Sequence, residues 1–121
     1  KIYGVKYKGE IHAVMCFAYT NQIPKNVDQL DKFSHDAYLQ SAQRDQNIGQ
    51  IAIAYTVWSN KKGGGKLIVK EVFKKIKKSN HLNRLVTLSP LTEMATKFHS
   101  RNGAKLIQIN ETTQNFEYEI L

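Results

Sequence analysis

Three consecutive glycines, Gly63, Gly64 and Gly65, separate an apolar run ending at Ser59 from a helix-like run, with Lys61, Lys62 and Lys66 beside them. Bare backbone and positive charge at the start of a helix suit phosphate. The first N–H groups of a helix lack intrahelical partners, and the dipole makes that end positive. Glycines let those groups approach a pyrophosphate with no Cβ in the way. Two common phosphate motifs fail here. A P-loop requires Ser or Thr after Gly-Lys, but Leu67 follows Gly65-Lys66, and Asn60 stands where its first glycine belongs. A dinucleotide fingerprint accommodates Gly63 and Gly65 but meets Ile68 at its last glycine.

Other chemistry-bearing residues are sparse. The one cysteine, Cys16, sits in the apolar run "AVMCFAY" and reads as a buried, inert thiol. His35 and His81 have no partners at metal-ligand spacing, so no metal site is expected. Trp58 and the tyrosines read as core or interface residues. The net charge is +8, and eight of the eighteen basic residues are lysines between Lys61 and Lys78. Such a patch suits an anionic partner: a phosphorylated cofactor, a nucleic acid or an acidic surface. Its last four lysines, Lys74, Lys75, Lys77 and Lys78, also complement a helix C-terminus.

The elements that must position these residues follow from periodicity. The 121 residues make one domain, 1–121, with a single core. No apolar run is long enough to span a bilayer, and the start has no signal-peptide h-region, so a cytoplasmic location is expected. The chain begins abruptly in a strand-like run, which suggests a missing upstream segment or a pared-down domain. Residues 2–8 and 11–20 read as a hairpin around Gly9, with the second strand apolar on both faces. Asn26 caps a helix over 27–44, with Gln29 placed to reach back and Leu30, Phe33, Ala37, Tyr38 and Ala42 at helical spacing. A buried strand over 50–58 leads into the glycines, and a helix over 65–79 turns Ile68, Val72, Phe73 and Ile76 inward. A buried strand "NRLVTLS" follows, with Ser89 as N-cap and Pro90 as first residue of the next helix. That helix carries Leu91, Met94, Ala95 and Phe98 on one face and ends at Asn102-Gly103. "KLIQI" and "QNFEYEI" close the chain as strands. The order β-β-α-β-α-β-α-β-β implies an α/β mixed sheet with packed helices.

Two stretches together resemble a known family, the GCN5-related N-acetyltransferases. "NKKGGGKL" resembles its pyrophosphate loop, Gln/Arg-x-x-Gly-x-Gly/Ala, with Asn60 at the Gln/Arg position and Gly63 and Gly65 at the glycines. "TEMATKFHSRNGA" runs in register with the helix pattern Asn-x-x-Ala-x-x-Leu-Tyr-x-Lys-x-Gly-Phe. Thr92 takes the Asn position, Ala95 the Ala, Phe98 the Leu, His99 the Tyr, Arg101 the Lys, Gly103 the Gly and Ala104 the Phe. The resemblance covers residues 50–121, and the hairpin resembles the family's second and third strands. The family's first strand and first two helices have no counterpart, and the helix at 27–44 is unusual there.

The resemblance implies a mixed, mostly antiparallel sheet with helices on both faces, and an acyl-CoA-dependent N-acyltransferase using acetyl-coenzyme A. The pyrophosphate would lie on Asn60, Lys61, Lys62, Gly63, Gly64, Gly65 and Lys66, with Thr92 also at the cofactor. The pantetheine arm would bond to backbone near Tyr55 and Val57. An amine of unknown identity would attack the thioester directly, and His99, at the position of the usual tyrosine, would be the acid for the leaving thiolate. No base is evident; Tyr55, Glu10, His12 and a water relay are the alternatives. Two competing readings stand beside this one: a basic nucleic-acid-binding module, and a degenerate relative that only binds coenzyme A or serves a structural role. A monomer or a homodimer fits each.

Overall fold

The computed structural model describes residues 2–7, 10–44, 50–59, 64–78 and 82–119, with backbone alone at 2–7, 10–12, 40–44, 56–59 and 64–66. The elements run β1 (Ile2–Tyr7), β2 (Glu10–Thr20), α1 (Val27–Arg44), β3 (Ile51–Ser59), α2 (Gly64–Lys78), β4 (Arg84–Thr87), β5 (Ser89–Pro90), α3 (Glu93–Arg101), β6 (Lys105–Ile109) and β7 (Thr113–Tyr118). This is the order expected from periodicity, with one two-residue strand added.

The seven strands among the described residues form one sheet. Neighbours pair antiparallel except β3 and β4, which are parallel. β7 pairs with β4 and then β5 along one edge and with β6 along the other. The parallel pair follows from the crossover through α2, which carries the chain back to the end from which β3 started.

Each face of the sheet has its own core. On one, Ile68, Val69, Val72 and Ile76 of α2 pack on Ala13, Met15, Phe17, Ala52, Ala54 and Leu85, with Phe98 of α3 against the same cluster. On the other, Leu30 of α1 packs with Ile51, Ile53, Val86 and Leu88. β3 alternates between the two clusters, which is why its sequence is apolar throughout. The second face of β2 is less covered than expected: Val14, Cys16 and Ala18 are only half-buried.

The α1 cap forms as its residues dictate. Asn26 Oδ1 accepts from Gln29 N–H at 2.8 Å, and Gln29 Oε1 reaches back to Lys25 N–H at 2.8 Å. Tyr38, placed on the inner face by periodicity, is exposed. The expected cap of α3 is corrected. Thr92, not Ser89, is its N-cap, its hydroxyl accepting from Ala95 N–H at 3.2 Å. Ser89 and Pro90 pair with Gln114 and Thr113 as strand β5, and Leu91 and Met94 are exposed. An extended Ser-Pro completes the edge of β7, and a threonine two residues later offers an equally good cap.

Candidate functional site

The parallel pairing of β3 with β4 runs from Ile51–Arg84 to Ala54–Thr87 and ends in the bond from Leu88 N–H to Ala54 O, 2.9 Å. Beyond it the strands fork. β3 continues beside β2, while Ser89 and Pro90 turn to β7. At the fork Cys16 faces Thr56 and Phe17 faces Ala54, so Tyr55 has no partner in β2. Bulges of this kind bend a strand and redirect a side chain, and Tyr55 is exposed at the fork.

A cleft of about 340 Å³ opens there on the α3 side, walled by Tyr55, Leu88, Ser89, Met94, Phe98 and His99. A second cavity of about 530 Å³ lies on the α1 side, reaching Leu30 and Asp31. Tyr55, Leu88, Ser89 and Pro90 border both, so the fork connects the two faces of the sheet.

His99 sits in the last turn of α3. The turn is closed by Asn102 and by Gly103 at φ 93°, with Ala104 N–H bonded to His99 O at 3.0 Å. The ring is 4 % exposed, packed edge-on to Phe98 and tilted against Phe116. Its Nε2 lies 3.0 Å from Ser89 Oγ and its Nδ1 2.7 Å from the Tyr118 hydroxyl. Ser89 Oγ–H donates to Thr87 Oγ1 at 2.9 Å, and Thr87 Oγ1 also accepts Phe116 N–H at 2.9 Å. Burial lowers the His99 pKa to about 4 and pushes the Tyr118 phenol up. At neutral pH the ring is therefore an uncharged imidazole, a hydrogen-bond donor at one nitrogen and an acceptor at the other.

Of the residues singled out by sequence, His99 and Tyr55 meet at the cleft. Thr92 also borders it, with its hydroxyl engaged as the α3 cap. Val57 lies two residues beyond Tyr55 on β3, past the fork. Gly64, Gly65 and Lys66 form the first turn of α2. Asn60, Lys61, Lys62 and Gly63 lie outside the described residues, as do His81 and the side chains of Glu10, His12 and Trp58. Sequence reading missed Ser89, Tyr118 and Thr87. The available signal was the Thr87-Leu88-Ser89 spacing, which puts two hydroxyls on one face of an otherwise apolar buried strand.

No family model and no curated protein matches the sequence. Solved structures do match in fold. A GNAT-like decarboxylase, GphF, in complex with isobutyryl-CoA superposes with a TM-score of 0.74 at 8 % identity, over 99 % of this chain and 78 % of that one. Malonyl-CoA decarboxylase from Cupriavidus metallidurans gives 0.68 at 12 % identity, over 98 % of this chain and 52 % of that one. YncA from Salmonella typhimurium, described as a putative acetyltransferase with its cofactor acetyl-CoA, gives 0.60 at 9 % identity, over 99 % and 64 %. The chain has the GNAT-like fold, in which β3 and β4 are the forked pair.

Proposed function

We propose, from the premise of a GNAT-like fold, that this protein binds an acyl-coenzyme A and catalyses loss of CO2 from a carboxyacyl thioester of the malonyl type. The observation that carries the reading is the buried His99 ring, held between two hydroxyls in the wall of a largely apolar cleft. Decarboxylation needs little else. The substrate brings its own leaving group, so no base has to deprotonate a nucleophile. Moving the carboxylate from water to a cleft walled by Leu88, Met94 and Phe98 raises its energy, and the charge disperses as the bond breaks.

In the step itself the Cα–carboxyl bond breaks and CO2 leaves. Its electron pair moves through Cα to the thioester oxygen, forming an enolate. Hydrogen-bond donors already in place at that oxygen stabilise the developing charge, and removing one such donor typically costs about 100- to 1,000-fold in rate. Ser89 Oγ–H, on the described wall beside His99, would turn to that oxygen as the thioester enters, with the ring holding the serine in place. Cα then takes one proton from solvent, leaving the shortened acyl-CoA. Tyr118 holds the ring from behind. A GNAT-like decarboxylase and a malonyl-CoA decarboxylase among the matching folds support this reading.

The coenzyme A moiety fits what is described. The first turn of α2 begins Gly64-Gly65, two residues without side chains at the helix end whose N–H groups lack intrahelical partners, and among the described residues β3 beyond the fork has no β4 partner. Asn60 to Lys66 would hold the pyrophosphate, and backbone near Tyr55 and Val57 the pantetheine arm.

Acetyl transfer from acetyl-CoA to an amine is the second reading. It is favoured by the cavity behind the fork, where Asp31 would receive a cationic acceptor, and by the likeness to YncA. A histidine with pKa about 4 serves that reaction poorly, since its neutral ring gives up a proton to a thiolate less readily than a tyrosine does.

The test is incubation with malonyl-CoA and, separately, with acetyl-CoA plus an amine panel, reading CO2, acyl-CoA products and free thiol. Release of CO2 with acetyl-CoA as product, lost in His99→Ala and reduced at least about 100-fold in Ser89→Ala, is expected. Amine-dependent thiol release without CO2 would replace this reading with the second. A folded protein that binds neither thioester by calorimetry would end both.

A further inference from the structure

A neutral imidazole carries one N–H, so the hydrogen bonds at its two nitrogens must run in the same direction. Either Tyr118 O–H donates to Nδ1 while Nε2–H donates to Ser89, or the whole chain is reversed. In the first case the proton lies on the nitrogen beside Ser89, which borders the cleft. In the second it lies on the nitrogen beside Tyr118, behind the ring.

We propose that Thr87 sets this direction and so selects the His99 tautomer with its proton on Nε2. Thr87 is fully buried, and its Oγ1 stands 2.9 Å from Ser89 Oγ. Phe116 N–H donates to the same Oγ1, also at 2.9 Å, which fixes the threonine rotamer. Asn115 Nδ2–H holds the Thr87 carbonyl at 2.8 Å. The serine hydroxyl can turn its proton away from the ring, to the Thr87 Oγ1 lone pair that Phe116 N–H leaves open. Its lone pairs are left to receive His99 Nε2–H at 3.0 Å, and Nδ1 is left to accept from Tyr118 at 2.7 Å. Phenol is a better donor than an aliphatic hydroxyl, which favours the same direction. The chain runs Tyr118 to His99 to Ser89 to Thr87. Thr87 is thereby a positioning residue, acting on the cleft through Ser89 and His99. Its consequence for turnover rests on the decarboxylase reading; the tautomer does not.

The test is the nitrogen-15 spectrum of histidine-labelled protein at neutral pH. Wild type is expected to show His99 Nε2 as the protonated nitrogen and Nδ1 as the bare one. Thr87→Val, equal in shape, is expected to move the proton to Nδ1 in all or part of the population. Thr87→Ser is expected to restore it. In the malonyl-CoA assay Thr87→Val would lower kcat on the order of 100-fold with KM little changed, and Thr87→Ser would recover most of it. A wild-type ring protonated at Nδ1 overturns the proposal, and this needs no variant to fold. So does a folded Thr87→Val with its proton still on Nε2. An inactive wild type with the expected tautomers would overturn the decarboxylase reading alone.

Discussion

Acid should weaken this fold well above the range in which carboxylates titrate, and His99 is the reason. Its pKa falls from 6.5 to about 4 because burial disfavours the imidazolium. In the unfolded chain the ring takes up its proton near pH 6.5; in the folded protein it does not until about pH 4. Between those values the unfolded state binds more protons, so stability rises with pH across the window and is lost as pH falls through it. Full stability from this group is present above 6.5, and the loss is complete below about 4. The two pKa values give a loss of about 2 kcal/mol at pH 5 and a limit of about 3 kcal/mol. Urea unfolding at pH 7, 6 and 5 measures it, with His99→Gln as the comparison. Glutamine keeps a polar group at the site and cannot titrate. The wild-type curve should fall by about 2 kcal/mol more than the variant's between pH 7 and 5. The carboxylate of Glu117, held below its usual 4.5 by its hydrogen bonds to Arg84, contributes only at lower pH. Parallel losses in the two proteins would refute the buried neutral histidine, and with it the chemistry assigned to the cleft.

Substitutions at two further positions test the scaffold around the site. Gly103→Ala should cost about 1–2 kcal/mol in urea unfolding, because φ is 93° and a new Cβ would meet nothing within 4 Å, so only the backbone is penalised; Gly103→Asn should cost less, and equal losses would argue for a packing cause. Asn115→Ala should cost about 2–4 kcal/mol by orphaning buried partners, since the fully buried Nδ2 bonds the carbonyls of Pro24 at 3.0 Å and Thr87 at 2.8 Å; a loss under about 1 kcal/mol would show that water replaces the amide.

The architecture was legible because its signals are local. Strict apolarity through 51–54 and the 3.6-residue spacing of Ile68, Val72 and Ile76 each specify which way a segment must be buried, whatever it meets. Asn26 with Gln29, and Gly103 after Asn102, are backbone chemistry complete within a few residues. The motif register also led to His99 by position in the chain. The error at Ser89 shows the limit of such signals. Ser-Pro before an amphipathic run satisfies every local rule for a helix start, and Thr92 satisfies them as well. The choice was made by Gln114 and Thr113, which lie more than twenty residues away and pair with Ser89 and Pro90. Once β7 takes those residues into the sheet, the serine hydroxyl faces His99 instead of a helix end. The composition of the cleft is likewise tertiary. His99 becomes a neutral ring only because α3 lays it on Phe116 and Tyr118, and the fork exists only because β3 stays with β2 while the next segment leaves for β7. Sequence alone determined the main elements and pointed to one residue of the cleft, since periodicity and capping are properties of neighbours. Tertiary structure decided that residue's protonation state and its three hydroxyl companions, since burial and hydrogen-bond direction depend on groups distant in the chain.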